Sequence, residues 1–433
     1  MLAHDLEIRP ITLRKLFLRL VPFLVVLYVV AFLDRVNIGF AALQMNADLG
    51  ITATQFGFGS GMFFIGYCLA EIPSNLILAR VGARLWIARI MITWGLLAAA
   101  MMLVRTAGQF YVLRFLLGVA EAGFFPGVVF YLGSWFPAAS RARAIAAFMV
   151  GIPLSGVIGG PLSGALLGLN GKLGLAGWQW LFLVEGLPAV LLAFVVLCFL
   201  DDSPDRARWL SASERAEVDA ALRAESGVRS VQRCRSARQA LANPTVWLLG
   251  VIFLLANVGF YGYVIWSPQI FRTVSGAGNL GVGLIAGIIS LAMAIAMIAN
   301  GRHSDRSGER YLHVALPLSL MAVGFVGSVS VASPTLSLFA LALVPIGIGA
   351  AYGPFYAIPG TLLADRGAAA GIALIVSLAN VGGFIGPMFI GWMKDRSGGY
   401  RGSFLILGVL AIAAALVTLY VRTSQQRAAT QLS

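Results

Sequence analysis

Charge is what this sequence lacks. Of its 433 residues only 11% are Asp, Glu, Lys or Arg, where a soluble domain carries about 25%. With 59% hydrophobic residues, that scarcity excludes an ordinary soluble protein and asks for a polytopic membrane protein. Cysteine is also scarce. Cys68, Cys198 and Cys234 show no metal-type spacing, and the first two lie in apolar runs where buried thiols are expected. Histidine is limited to His4, His303 and His313, in tails, in loops or at a span end. Proton handling inside the membrane must therefore rest on carboxylates. No Walker loop, metal-ligand cluster or nucleophile–base pairing is visible, so no enzymatic activity and no cofactor are expected. Gly156-Val-Ile-Gly159-Gly160 superficially invites a nucleotide-loop reading, but it sits in a membrane run with no soluble strand before it. No cleavable signal peptide is expected, since no small-residue cleavage site follows a short apolar region.

What the chain has is hydrophobic length. A membrane span needs about 20 mostly apolar residues. On that rule the first six runs fall near 17–42, 55–78, 85–104, 109–132, 144–168 and 178–200. The last six fall near 246–270, 280–300, 311–331, 335–358, 368–391 and 402–422. The 50 glycines fit this picture, because membrane helices pack through small residues. The expected fold is an all-α membrane protein of twelve transmembrane helices in two six-helix, pseudo-symmetric bundles. Residues 1–200 would form one bundle and 246–433 the other. The polar stretch 201–245 would link them, with an amphipathic surface helix around Glu214–Glu225 and a basic run at Arg229–Arg238.

The net charge of +13 does not mark a nucleic-acid binder, because basic residues punctuate the apolar runs and form no single patch. Their placement instead sets orientation. With both termini cytoplasmic, 23 of the 31 basic residues fall on the inner side, Arg366 among them, and six on the outer. Arg35 and Arg114 remain within spans. The cluster Lys394–Arg401 breaks the rule locally and reads as short-loop structure.

The two halves echo each other. Asn75-Leu-Ile-Leu-Ala79-Arg80-Val-Gly82-Ala-Arg84 follows the second run, and Gly301-Arg-His-Ser-Asp305-Arg306-Ser-Gly308-Glu-Arg310 follows the eighth. Both fit a frame G-x-x-x-D-R-x-G-x-R, the second fully. A partial copy, Gly391-Trp-Met-Lys-Asp395-Arg396-Ser-Gly398, follows the eleventh. Such turns can latch one helix end to another, which makes Arg80, Arg84, Asp305, Arg306 and Arg310 candidate latch residues. A repeat at the same place in both halves implies a duplicated transporter with its site between the halves near the midplane.

These features resemble the major facilitator superfamily. Finer motifs include Phe32-Leu-Asp-Arg-Val-Asn-Ile-Gly39, Gly66-Tyr-Cys-Leu-Ala-Glu-Ile-Pro-Ser-Asn75, Arg114-Phe-Leu-Leu-Gly-Val-Ala-Glu-Ala-Gly-Phe-Phe-Pro-Gly127 and Trp180-Leu-Phe-Leu-Val-Glu-Gly186. They are similar to the anion:cation symporter family, whose members carry tartrate, phthalate, hexuronate, galactonate and related acids. The resemblance implies a proton-coupled carrier of a small carboxylate, monomeric, in a bacterial inner membrane. A tartrate-like hydroxy acid is favoured, with phthalate, a sugar acid or an aromatic acid as alternatives. A facilitator, exchanger or drug-efflux carrier is the competing class, and Arg35 and Arg114 count against a cationic solute.

Intramembrane charges are costly, at roughly 2.5–3.5 kcal/mol for Asp or Arg at a helix centre. This chain keeps Asp34, Arg35, Glu71, Arg114, Glu121 and Glu185 inside spans. Arg114 and Glu121, seven apart, share a helix face roughly 10.5 Å apart. Depth counting puts Asp34 and Arg114 at similar level and predicts that they pair. Arg35 points about 100° from Asp34, toward a central cavity with Glu121 opposite. A guanidinium fork suits a substrate carboxylate, and protonation of a nearby acid would release it. The resemblance implies proton-linked roles for Asp34, Arg114 and Glu121 and anion binding at Arg35. It also implies substrate contact at Tyr67. Asn380, with Ser377 one turn before it, and Gln269 are further substrate-side candidates. Tyr261, Tyr263 and Trp266 read as packing, Glu71 as a gate residue beside Pro73, and Glu185 as structural.

Overall fold

The computed structural model describes residues 8–227, 237–362 and 365–432. His4, Cys234 and residues 229–236 of the basic run lie outside the described residues, as does the side chain of Arg366. Among the described residues there is no strand. Among these residues, twelve helices are long and apolar enough to cross a membrane. The first six are Pro10–Asp48, Ala53–Val81, Ala83–Leu103, Ala107–Gly133, Ser140–Leu169 and Gly177–Phe199. The last six are Pro244–Ser275, Asn279–Ser307, Leu312–Ser330, Pro334–Ala357, Ala370–Ser397 and Arg401–Arg427. We refer to them as the first to twelfth spans. Most outrun the expected apolar windows, because capping and amphipathic turns extend each helix beyond its membrane-length core. Pro10 opens the first span at a position where its missing N–H is no loss. Thr52 and Gln55 form a reciprocal capping box at the start of the second.

The fourth span departs from the expected continuous helix. It breaks at Ala122–Gly123, immediately after Glu121, with Gly123 at φ 91°. Only glycine takes that conformation at no steric cost. The freed Ala122 carbonyl accepts a hydrogen bond from Ser74 Oγ at 2.6 Å, and Ser74 Oγ accepts one from Trp86 Nε1 at 2.9 Å. The break is thus a satisfied structure that redirects the chain just past the buried carboxylate.

With an even number of spans, both termini and the linker share one face, here called the linker face. The linker helix, Ala212–Gly227, lies against the start of the first span. Glu217 accepts from Arg9 Nε at 2.9 Å and from Thr12 Oγ1 at 3.0 Å, and Lys15 Nζ bonds Glu214 at 2.8 Å. Val218 is fully buried beneath the helix. The Lys15 contact, followed by the Ser211 backbone N–H, holds the Glu214 carboxyl below its usual range. Partial burial opposes ionisation of Glu217, but the donors from Arg9 and Thr12 outweigh it and hold that carboxyl low as well.

Across the halves, the seams gather toward the far face. The second span packs on the eleventh, the fifth on the eighth and the first on the seventh. Gly160 and Gly283 meet backbone to backbone, so that a Cβ on either would strike the other's carbonyl. Among the described residues no comparable seam joins the fourth and tenth spans. The bundle is therefore closed at the far face and parted toward the linker face. One expectation is corrected here: Cys198 is exposed and Cys68 only half-buried. An apolar run in a membrane helix has a lipid-facing side, so apolarity alone does not bury a thiol.

Candidate functional site

A central cavity of about 60 Å³ lies between the halves, enough for a handful of water molecules. Its walls come from the first span (Tyr28, Phe32, Arg35), the second (Tyr67), the seventh (Asn257, Tyr261), the tenth (Tyr352, Tyr356) and the eleventh (Asn380), among others. A short apolar helix-forming context surrounds each of these residues, so each side chain is carried on a rigid element.

Among the described residues, Arg35 is the one cationic side chain in this wall. Its Nε and Nη2 both donate to Glu121 Oε1, at 3.1 and 2.6 Å, and its Nη1 donates to the Tyr261 hydroxyl at 3.3 Å. The guanidinium lies 5.1 Å from the Phe63 ring centroid, 5.3 Å from that of Tyr67 and 5.5 Å from that of Phe32. Contacts of this kind favour a cation once water is excluded. Glu121 is buried, and its second oxygen, Oε2, has no hydrogen-bond partner among the described residues. Gly118 lets this face of the fourth span lie directly on the Phe63 backbone of the second. The arrangement is a buried cation held by one carboxylate oxygen, with aromatic walls and an open side toward the cavity.

The expected pair of Asp34 with Arg114 is not formed. The two side chains face different neighbours. Asp34 points to the third span, where its carboxylate accepts from Trp94 Nε1, and it accepts from Asn37 Nδ2 at 3.1 Å. Arg114 points to the second span, where its Nη2 donates to the Ser60 carbonyl at 3.4 Å and its guanidinium lies 5.1 Å from the Phe63 ring centroid. Depth counting located both residues correctly inside the bundle but carried no information on helix rotation. Arg114 and Asp34 are almost fully buried.

Asn380 lines the cavity, and its Nδ2 is buried with no partner among the described residues. Ser377, one turn earlier, is not in the wall; its carbonyl faces Cys68 of the second span. Gln269 also lies away from the cavity, where its Oε1 accepts from Lys394 Nζ at 3.1 Å. Glu71 is half-buried and forms no ion pair among the described residues. Among the latch candidates, Asp305 pairs with Arg310 at 2.6 Å. Arg80 and Arg306 are exposed. The Arg84 backbone N–H donates to Asp202 at 3.1 Å. The partial third copy latches across the halves: Asp395 accepts from the backbone N–H groups of Ala53 and Thr54, at 3.2 and 2.7 Å. A carboxylate on the first turn of the second span is favoured by that helix's dipole. This also accounts for the basic cluster Lys394–Arg401, whose Lys394 lies over the Trp266 and Tyr400 rings.

Sequence reasoning missed Tyr261 as a partner of Arg35, and it missed Asn257, Tyr28, Tyr352 and Tyr356 as cavity wall. Tyr352 donates to Asn257 Oδ1 at 3.5 Å. An amide in the apolar middle of the seventh span was the signal available for Asn257. The tyrosines carry no such signal, because ring packing and cavity lining look alike in sequence.

The Major Facilitator Superfamily profile matches residues 24–378. A putative tartrate transporter of Agrobacterium vitis is 49% identical over 96% of this chain and 95% of its own length. The putative metabolite transport protein NicT of Pseudomonas putida is 43% identical, covering 93% of each chain. Among solved structures, a bacterial homolog of the human lysosomal transporter Spinster superposes with a TM-score of 0.75 at 18% identity, covering 93% of this chain and 96% of that one. The last shows a shared fold.

Proposed function

The chain belongs to the Major Facilitator Superfamily and is a secondary transporter, and from that premise we propose that it carries a small organic anion, a tartrate-like hydroxy acid, together with protons by alternating access. One observation carries the reading: the Arg35 guanidinium stands in the cavity wall with its fork taken up by Glu121. Ionised Glu121 competes with a substrate carboxylate for the same two N–H donors. A proton on Glu121, at the unpartnered Oε2, releases the fork to the substrate. Proton and anion are then bound together, which is the requirement for symport. Asn257 and Asn380 on the opposite wall offer amides to substrate hydroxyls. The name of the 49% identical relative supports tartrate over other acids. An aromatic acid is the second reading, favoured by the ring wall of Tyr28, Phe253, Tyr352 and Tyr356.

In this proposal residues 1–200 and 246–433 rock as two bodies about the cavity, joined by 201–245. The linker face is cytoplasmic in a bacterial inner membrane, as the excess of basic residues on that side favours. On that orientation, closure at the far face corresponds to an inward-facing state, and the carrier works as a monomer in this proposal. Asp34 and Arg114, buried behind the cavity, tune the proton step rather than touch substrate. The test is counterflow in proteoliposomes with a panel of carboxylates, with and without a pH gradient. Arg35→Ala and Glu121→Gln each abolish tartrate uptake while the protein still reaches the membrane. Normal transport by either variant sinks the reading.

A further inference from the structure

The cavity wall is rich in hydrogen-bonding groups and poor in charge. Among the described residues its one formal charge is Arg35. Arg114 does not add a second: it is 1% exposed, donates to the Ser60 carbonyl and lies outside the wall. To this wall the C-terminal half brings no charge. Its tenth span, Pro334–Ala357, has no charged residue. Arg272 on the seventh span and Lys394 on the eleventh lie roughly 20 Å along their helices from Asn257 and Asn380. Arg272 is bonded to Asn279 and Lys394 to Gln269. Glu71, one turn beyond Tyr67 on the second span, is itself an acid.

Once Glu121 holds a proton, one substrate carboxylate takes up the charge of Arg35. A second carboxylate then has no cation to meet. Among rings and aliphatic side chains an unpaired anion is costly. What the wall does offer is neutral. Asn380 Nδ2 is a buried donor with no partner among the described residues. Tyr28, Tyr67 and Tyr356 bring hydroxyls. Asn257 has an N–H committed to the Phe253 carbonyl at 2.7 Å, and its Oδ1 takes only the 3.5 Å contact from Tyr352, so that oxygen has acceptor capacity to spare. A free N–H donor and an acceptor oxygen suit the C=O and O–H of a hydroxyl-bearing or neutral carboxyl group. The same acceptor oxygen repels a carboxylate, which has no hydrogen to give it.

We propose that the cavity takes its anion with a single negative charge: a hydroxy monocarboxylate, or a diacid such as tartrate only as its hydrogen-anion, with one carboxylate on Arg35 and the other carboxyl, protonated, among the neutral groups of the C-terminal half. This rests on Arg35 being the anion site and adds a rule on charge. The proton on the second carboxyl rides on the substrate and is distinct from the one on Glu121. Above the ordinary carboxylate range of about 4, the hydrogen-anion of a diacid falls tenfold for each pH unit. Affinity for the total diacid falls with it, whereas a hydroxy monocarboxylate keeps its one charge.

The test uses two matched pairs of probes on the purified full chain: tartrate with its monoamide, and galactarate with galactonate. Within each pair the carbon chain is the same length and the acids differ by one charge. Ligand-induced thermal stabilisation reads their binding without requiring transport. The monoamide keeps one charge throughout, so the ratio within a pair cancels titration of the protein itself. From about pH 5.5 to about pH 7.5 the ratio of the tartrate to the monoamide dissociation constant should rise about 100-fold, and the galactarate-to-galactonate ratio should rise with it. A flat ratio, or a dianion that binds as tightly as its partner at the higher pH, overturns the proposal. If Arg35→Ala then loses both members of the pair, the anion site stands and only the charge rule falls. Monoamide binding undiminished in Arg35→Ala overturns the charge rule and the Arg35 reading together.

Discussion

Replacing Arg35 by Lys separates charge from geometry at the centre of the site. The guanidinium makes two contacts to a single Glu121 oxygen, at 2.6 and 3.1 Å, and a third to Tyr261 at 3.3 Å. Its flat faces lie within 5.5 Å of three ring centroids. An ammonium keeps the positive charge but presents a point, with no planar fork to align on a carboxylate. It retains one of the two bonds that a substrate carboxylate takes from Arg35. A hydrogen bond to a charged partner is worth about 1.5–3 kcal/mol, and each 1.4 kcal/mol is tenfold. Arg35→Lys should therefore raise the half-saturation concentration for tartrate roughly 10- to 150-fold. Membrane insertion and thermal stability should change little, because the buried Glu121 keeps a cationic partner. The assay is counterflow in proteoliposomes at equal pH on both sides, which removes the proton gradient from the result. A half-saturation within twofold of wild type would refute the assignment of Arg35 as the anion-binding fork.

Other parts of the molecule give independent tests. Tyr261→Phe removes one acceptor from Arg35 and should weaken tartrate binding by roughly three- to tenfold, at about 1 kcal/mol for one hydrogen bond, read by the same counterflow. Gly283→Leu places a side chain where the Gly160 carbonyl lies, so the far face cannot close; uptake should fall at least tenfold with normal insertion, and normal uptake would contradict the seam's role. The linker helix has its own pH dependence. Glu214 and Glu217 have lowered carboxyl pKa values when docked. Their contribution is fully present above the ordinary carboxylate range of about 4.3 and is lost as pH falls below it through the docked values. Hydrogen exchange in Ala212–Gly227 should therefore rise in acid, and Glu217→Gln should raise it at neutral pH by about 1 kcal/mol or less of docking energy.

The architecture was legible because membrane spans are long and their signal is local. Apolar length, basic residues between runs and the repeated Gly-Asp-Arg turns all survive in one dimension. The Arg35–Glu121 pair was legible for a related reason: charges inside spans are few, and an Arg and a Glu on facing walls have few alternatives. Helix rotation was not legible. Asp34 and Arg114 are both deep, yet one faces Trp94 and the other Ser60, and no periodicity in an all-apolar helix distinguishes those directions. Ser377 and Asn380 are one turn apart, and only the second reaches the cavity. The break at Gly123 was hidden because a glycine inside an apolar run reads as packing. Here it marks a chain reversal of φ that Ser74 and Trp86 support from other parts of the sequence. The third motif copy read as a local turn, whereas Asp395 closes onto Ala53 and Thr54 some 340 residues away.

The central claim is that anion and proton share the Arg35–Glu121 pair. Its most direct test is the pH inside proteoliposomes carrying a trapped pH-sensitive dye, followed after tartrate is added outside with no gradient imposed. The account predicts internal acidification that tracks tartrate uptake in the wild type and is absent in Glu121→Gln. Tartrate uptake with no acidification in the wild type, or undiminished acidification in Glu121→Gln, would contradict it.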